Sequence, residues 1–219
     1  MVSNFHSCDK LHLMDARKAE IAAFMKRTYD RGLTTATGGN ISMRRGNVML
    51  ITPSGKDKAS LAAEDIAEVS VLDGANLTPD KRLSIETGMH RAIYLTRPDV
   101  SAIVHSHPVY SSLFSASDEA IDTCIIAESY YLLGDVVKVP YALMGTEKLA
   151  ANAARCAAGG ANAMLLENHG AIALGRDLMS AFDRLECLEQ AARLTFLSKT
   201  IRINDIKEED RADIARMRS

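Results

Sequence analysis

Residues 102–108 read Ala102-Ile103-Val104-His105-Ser106-His107-Pro108. The apolar run Ala102 to Val104 reads as a short buried strand, and it delivers two histidines spaced by one residue. In a strand, residues two apart point to the same face, so both imidazoles can address one point in space. A second apolar run, Ala163 to Leu166, is preceded by Gly159-Gly160 and followed by Asn168-His169-Gly170. It also reads as a buried strand with a histidine at its end.

Working outward from 102–108, Met14, Ile21, Phe24 and Met25 recur at one or two helical turns and predict a helix over 14–31 that stops at Gly32. Ile41–Arg44 and Val48–Thr52 read as strands paired across Arg45-Gly46-Asn47, with turn-forming stretches at 34–40 and 52–55 flanking the hairpin. Glu64 to Leu72 holds a short helical turn and a third strand. Helices are predicted over 85–96, ending before Arg97-Pro98, and over 147–158, 178–198 and 206–217. Strands come early and late, with helices on both sides and no strict strand–helix alternation. The expected fold is therefore α/β: one domain with a mixed, mainly antiparallel sheet flanked by helices, its core over about 15–200 and a charged helix over about 203–219. There is no G-x-G-x-x-G and no Walker loop.

Composition narrows the function. Of the 219 residues, 47% are hydrophobic and 25% charged, a globular balance that excludes a disordered chain. No stretch reaches the ~18 uncharged apolar residues of a membrane span, and Met1 to Lys10 lacks the apolar core of a secretory signal. A net charge of −2 gives no overall attraction to nucleic acid or to an anionic membrane. The four cysteines, Cys8, Cys124, Cys156 and Cys187, form no C-x-x-C pair. The expectation is a cytoplasmic enzyme acting on a small molecule, without nucleic-acid or membrane partners.

The histidines suggest the chemistry. Zinc binds imidazole nitrogen, and catalytic zinc commonly takes three protein ligands and keeps a position open. Of the remaining histidines, His6 and His12 sit in the N-terminal segment and His90 sits within a helix. His169, between Asn168 and Gly170, is the natural third ligand to Zn2+ beside His105 and His107. The alternative is that His105 and His107 only line a polar strand end.

Five ordered motifs carry a resemblance. Gly39-Asn40-Ile41-Ser42, Thr52-Pro53-Ser54-Gly55, Ser84-Ile85-Glu86, His105-Ser106-His107-Pro108 and Glu167-Asn168-His169-Gly170 resemble the class II aldolase/adducin family over about residues 15–200. The similarity is greatest to its L-fuculose-1-phosphate and related ketose-1-phosphate aldolases. The resemblance implies homotetramers with sites between subunits, and cleavage of a ketose 1-phosphate to dihydroxyacetone phosphate and a short aldehyde through a metal-stabilised enediolate. It places Glu86 where a carboxylate ligates the resting metal and then serves as general acid/base. An acidic residue at a helix start is otherwise a common partner of the helix dipole. It also implies a phosphate pocket: Gly39, Asn40, Ser54 and Gly55 can offer backbone N–H groups, an amide and a hydroxyl, and Ser84 a further hydroxyl. Glycine and serine are also ordinary turn formers. Lys56 adjoins this pocket. His90, four residues beyond Glu86, reads as a supporting group on the same helix face.

The chain departs from the family pattern at two places. Ile85 replaces a second serine before the glutamate. Ile126 stands where the resemblance implies a tyrosine from a neighbouring subunit that exchanges a proton with the aldehyde oxygen, so Tyr131, or Tyr130, about one helical turn on, is the substitute. The same scaffold also carries pentulose-phosphate 4-epimerases, methylthioribulose-1-phosphate dehydratases, sugar-acid phosphate decarboxylases and non-catalytic adducin-like modules. The absence of tyrosine and histidine after Phe196, and glutamate rather than aspartate at 86, disfavour the epimerase. Three histidines with Glu86 disfavour the non-catalytic module.

Overall fold

The computed structural model describes residues 5–217, with side chains from residue 14 onward. In chain order the elements are α1 (Phe5–Asp30), β1 (Asn40–Arg45), β2 (Val48–Ile51), a 3-10 turn (Ala63–Asp65), β3 (Ala67–Ser70), α2 (Thr87–Thr96), β4 (Ala102–Ser106), α3 (Val109–Ser115), α4 (Ala127–Leu133), β5 (Val137–Val139), α5 (Glu147–Ala158), β6 (Ala163–Leu166), β7 (Gly170–Gly175), α6 (Leu178–Ser198) and α7 (Glu208–Arg216). The strands form one seven-stranded sheet in the order β3-β2-β1-β4-β7-β6-β5. Every pairing is antiparallel except β5 with β6. That one parallel pair needs a crossover, and α5 supplies it. The mixed, mainly antiparallel sheet expected from the sequence is present.

The sheet is covered on both faces, which explains why its central strands read as continuous apolar runs rather than alternating ones. Alternate residues go to opposite layers. Ile41, Val104, Leu165 and Ala173 pack with Ile21 and Met25 of α1 and with Phe182, Leu185 and Leu188 of α6. Ile51, Ile103, Met164 and Ile172 pack on the other face with Met89 and Ile93 of α2 and Leu149 and Ala153 of α5. At the start of α6 the Asp177 carboxylate accepts the Ser180 N–H at 2.7 Å, satisfying a donor that helix geometry leaves free.

Four elements escaped the sequence reading. Val137–Val139 is too short to carry a period, and Gly170–Gly175 is bounded by glycines that read as the end of the preceding strand rather than a new one. Val109–Ser115 and Ala127–Leu133, for which the sequence reading assigned no element, are the seven-residue helices α3 and α4. The first helix begins at Phe5 rather than near Met14. The side chains of His6, Cys8 and His12 lie outside the described residues. Cys124, Cys156 and Cys187 are free thiols.

Candidate metal centre and phosphate pocket

The site forms at one end of the sheet, where β4 finishes and β6 turns into β7. His105 is the penultimate residue of β4, and His107 lies one residue beyond its end. His169 lies in the tight turn Glu167-Asn168-His169, three residues past β6 rather than on it. Two backbone features bring it close. Asn168 adopts φ 52°, a left-handed conformation that asparagine tolerates. A side chain on Gly170 would lie 2.6 Å from the Ser106 carbonyl oxygen and 2.7 Å from the His107 ring, so only glycine lets the turn pack against the end of β4.

Three imidazoles converge as a result. Ring centroids are 4.9 Å apart for His105 and His107, 4.9 Å for His105 and His169, and 5.3 Å for His107 and His169. One nitrogen from each lies within 4.8 Å of the others. His105 is fully buried, and its Nδ1 donates to the Ala171 carbonyl oxygen at 2.8 Å, which leaves the Nε2 lone pair facing the cluster.

Glu86 caps the N-terminus of α2 and is 4% exposed. Its Oε2 lies 2.9 Å from His105 Nε2 and its Oε1 3.2 Å from His169 Nε2. Neither Glu86 Oε1 nor His105 Nε2 makes an aligned hydrogen bond, and His107 Nε2 is likewise buried without a partner. Buried polar atoms are normally satisfied. Orphaned nitrogens and an orphaned carboxylate oxygen aimed at one point fit a divalent cation: the residues present suit the metal that their spacing suggests.

The electrostatics agree for Glu86, His107 and His169. Burial pushes the Glu86 carboxyl up, but the facing His105, the Asn40 amide and His169 outweigh it and hold the group well below the usual carboxylate range. Burial pushes His105 down, yet the Glu86 charge and the Ala171 carbonyl raise it overall. Burial, with His105 and His169 as neighbours, pushes His107 down to about 4. His169 is lowered by burial and by His105. At neutral pH, Glu86 is therefore ionised while His107 and His169 present neutral nitrogens, the forms that coordinate metal.

Behind the centre, His90 is fully buried on α2, and its Nδ1 meets Ser42 Oγ at 2.7 Å, which in turn meets the Tyr94 hydroxyl at 2.8 Å. Burial lowers His90 to about 3, so it stays neutral. Its ring joins β1 to α2 beneath Glu86.

Beside the imidazoles opens a cavity of about 400 Å3 whose lining includes Gly39, Asn40, Ser54, Ser84 and Ile85 together with Glu86. Asn40 donates its side-chain N–H to Glu86 Oε2 at 2.8 Å, so part of its amide is committed to holding the carboxylate. Ser84 Oγ accepts the Glu86 N–H at 3.3 Å, leaving its own proton available. Gly55, at φ +73°, shapes the turn but does not line the cavity. Lys56 points away and pairs with Asp65 at 3.2 Å. Lys58, which the sequence reading did not select, lines the cavity and is 1% exposed. Nothing local in Lys56-Asp57-Lys58 separates the two lysines. A backbone bond from Lys58 N–H to the Ala36 carbonyl at 2.8 Å anchors the second of them against the loop that precedes β1.

Tyr131 is not brought to this cavity. It is 40% exposed and lines a separate cleft, with Arg97 and Gly175, at the opposite end of the sheet. Ile126 caps α4.

Gly39 joins the two halves of the site. It has φ +66°, and an added Cβ would sit 2.7 Å from the His105 carbonyl oxygen. Gly39→Ala is expected to lose about 1–3 kcal/mol of stability, read as a lower denaturant midpoint, because it combines left-handed strain with a backbone clash. An unchanged midpoint would show that β1 and β4 separate freely here.

Known proteins match the chain over most of its length. Residues 19–196 match the family model described as the class II aldolase and adducin N-terminal domain. An L-fuculose phosphate aldolase of Methanococcus maripaludis is 33% identical over 174 residues, 80% of this chain and 93% of that protein. A 3-oxo-tetronate 4-phosphate decarboxylase of Haemophilus influenzae is 32% identical over 209 residues, 92% of this chain and 98% of that one. Among solved structures, an L-fuculose 1-phosphate aldolase superposes with a TM-score of 0.83 at 32% identity, covering 91% of this chain and 94% of that chain.

Proposed function

We propose that this chain, which belongs to the class II aldolase and adducin family, is a zinc-dependent aldolase that reversibly cleaves a ketose 1-phosphate to dihydroxyacetone phosphate and a short aldehyde. L-Fuculose 1-phosphate and 5-deoxypentulose 1-phosphates are the substrate types in view. The observation that carries this reading is the convergence of three imidazoles and Glu86 beside a cavity lined with hydroxyl and amide groups. His105, His107 and His169 would hold the cation. When bound, it supplies positive charge that offsets the negative charge developing on the substrate's carbonyl and hydroxyl oxygens.

The remaining roles fall to the chain itself. Glu86, oriented by Asn40, is the group that can move a proton at the carbon from which the aldehyde departs. Ser54 and Ser84 face the phosphate. Tyr131 would serve the departing aldehyde from a neighbouring subunit, since within one chain it lines another cleft. A homotetramer with sites between subunits would allow that placement, and the cytoplasm is the compartment proposed for it. No helix of the described residues is long and apolar enough to cross a membrane.

Ile126 favours one second reading, a decarboxylase of a sugar-acid phosphate. Loss of carbon dioxide from a 3-oxo-tetronate 4-phosphate leaves the same three-carbon phosphate and requires no phenol to exchange a proton with an aldehyde oxygen. Incubating zinc-loaded protein with L-fuculose 1-phosphate, ribulose 1-phosphate, 5-deoxyribulose 1-phosphate and 3-oxo-tetronate 4-phosphate separates the readings. Dihydroxyacetone phosphate with an aldehyde is the expected outcome. Dihydroxyacetone phosphate with carbon dioxide, from the acid alone, selects the decarboxylase, and no dihydroxyacetone phosphate from any of them eliminates both.

A further inference from the structure

We propose that Lys58 is the cationic anchor of the substrate's phosphate. This inference rests on the reading of the site as one for a sugar phosphate, and it concerns which group of this chain supplies the charge.

Three observations point to Lys58. Among the described residues lining the cavity it is the one lysine or arginine. It is 1% exposed, and its ammonium donates to the Pro53 carbonyl at 2.8 Å, the one acceptor recorded for a group with three N–H donors. Among the described residues no carboxylate stands within ion-pair distance of it. A buried cation without a counter-charge is costly, and proteins rarely keep one unless an anion meets it.

The neutral donors around it are depleted. Ile85 carries no hydroxyl and is 53% exposed at the cavity wall. Asn40 is committed in part to Glu86. Thr37, Ser54, Ser84, Asn168 and backbone N–H groups remain, and these neutral donors set no charge against a phosphate dianion. A lysine provides a compact charge on a flexible stem, which suits a phosphate whose oxygens are partly occupied by other donors. Burial lowers the amine to about 8, so it is still mainly protonated at neutral pH. An adjacent dianion would raise it again.

A purely structural role is the competing account, in which the Pro53 contact ties the loop at 53–58 and nothing more. Isothermal titration of zinc-loaded protein with inorganic phosphate, and with 2-phosphoglycolate, distinguishes them. For Lys58→Met the affinity for both is expected to fall about 10- to 100-fold, with metal content and the phosphate-free melting temperature close to wild type. Lys58→Arg is expected to recover most of the affinity, and Lys58→Gln, which keeps a donor for Pro53 but no charge, to behave like Met. Should Met fail to fold, the Gln and Arg pair carries the same comparison.

Phosphate binding by the Met or Gln variant equal to wild type overturns the role of Lys58 and leaves the sugar-phosphate reading standing. Wild-type protein that binds one metal per chain but neither anion overturns that reading, and the inference with it.

Discussion

Glu86→Gln is expected to lower kcat by about 10²- to 10⁴-fold, the range of a lost general acid/base, while the protein keeps its fold and still takes up metal from excess zinc. Glutamine preserves the volume of a side chain that is 4% exposed, so no cavity forms. Its carbonyl can still accept the Asn40 N–H that now reaches Glu86 Oε2 at 2.8 Å. What changes is the group facing His105 and His169, at 2.9 and 3.2 Å. An amide there cannot exchange a proton with substrate, and it donates where the carboxylate accepted. Metal affinity should therefore weaken as well, which zinc titration would separate from the loss of turnover. A variant that turned over at more than about a tenth of the wild-type rate with saturating zinc would remove Glu86 from the proton-transfer role.

The second large effect concerns the metal itself. His107→Ala is expected to reduce bound zinc to less than roughly a tenth of an ion per chain after dialysis, and to lower activity by at least ~10³-fold, near 4 kcal/mol of barrier. His107 is a cleaner choice than His105. The latter is fully buried in β4 and holds the Ala171 carbonyl, so its removal would damage the sheet as well as the site. His107 is only half-buried, and its Nε2 has no hydrogen-bond partner to lose. Elemental analysis, together with circular dichroism to confirm the fold, checks the outcome. Full zinc occupancy in the variant would show that the three imidazoles are not the binding set.

Much of this was readable locally. A strand's two-residue period puts His105 and His107 on one side before any tertiary contact is known, and the glycine after His169 permits close approach. The helices expected over 147–158 and 178–198 are present with those bounds. The edge strand at 137–139 did not, because three residues are too few to show a period and its parallel partner lies beyond the intervening α5. The strand at 170–175 was hidden for a different reason. Both of its faces are buried, so it lacks alternation, and its opening glycine belongs as much to the turn that precedes it.

What the sequence alone determined was the class of chemistry and the layered α/β fold: five ordered motifs, a histidine pair at a strand end and a third histidine after a second apolar run. What only the tertiary structure decided was which partners those residues face. Asn40 commits part of its amide to Glu86, Lys58 rather than Lys56 lines the cavity, and Tyr131 lines the cleft at the far end of the sheet. The physical reason is range. Backbone geometry and capping are settled among residues a few positions apart, whereas these placements depend on the register of β1, β4 and β7 and on where each loop is tied down by bonds to distant carbonyls.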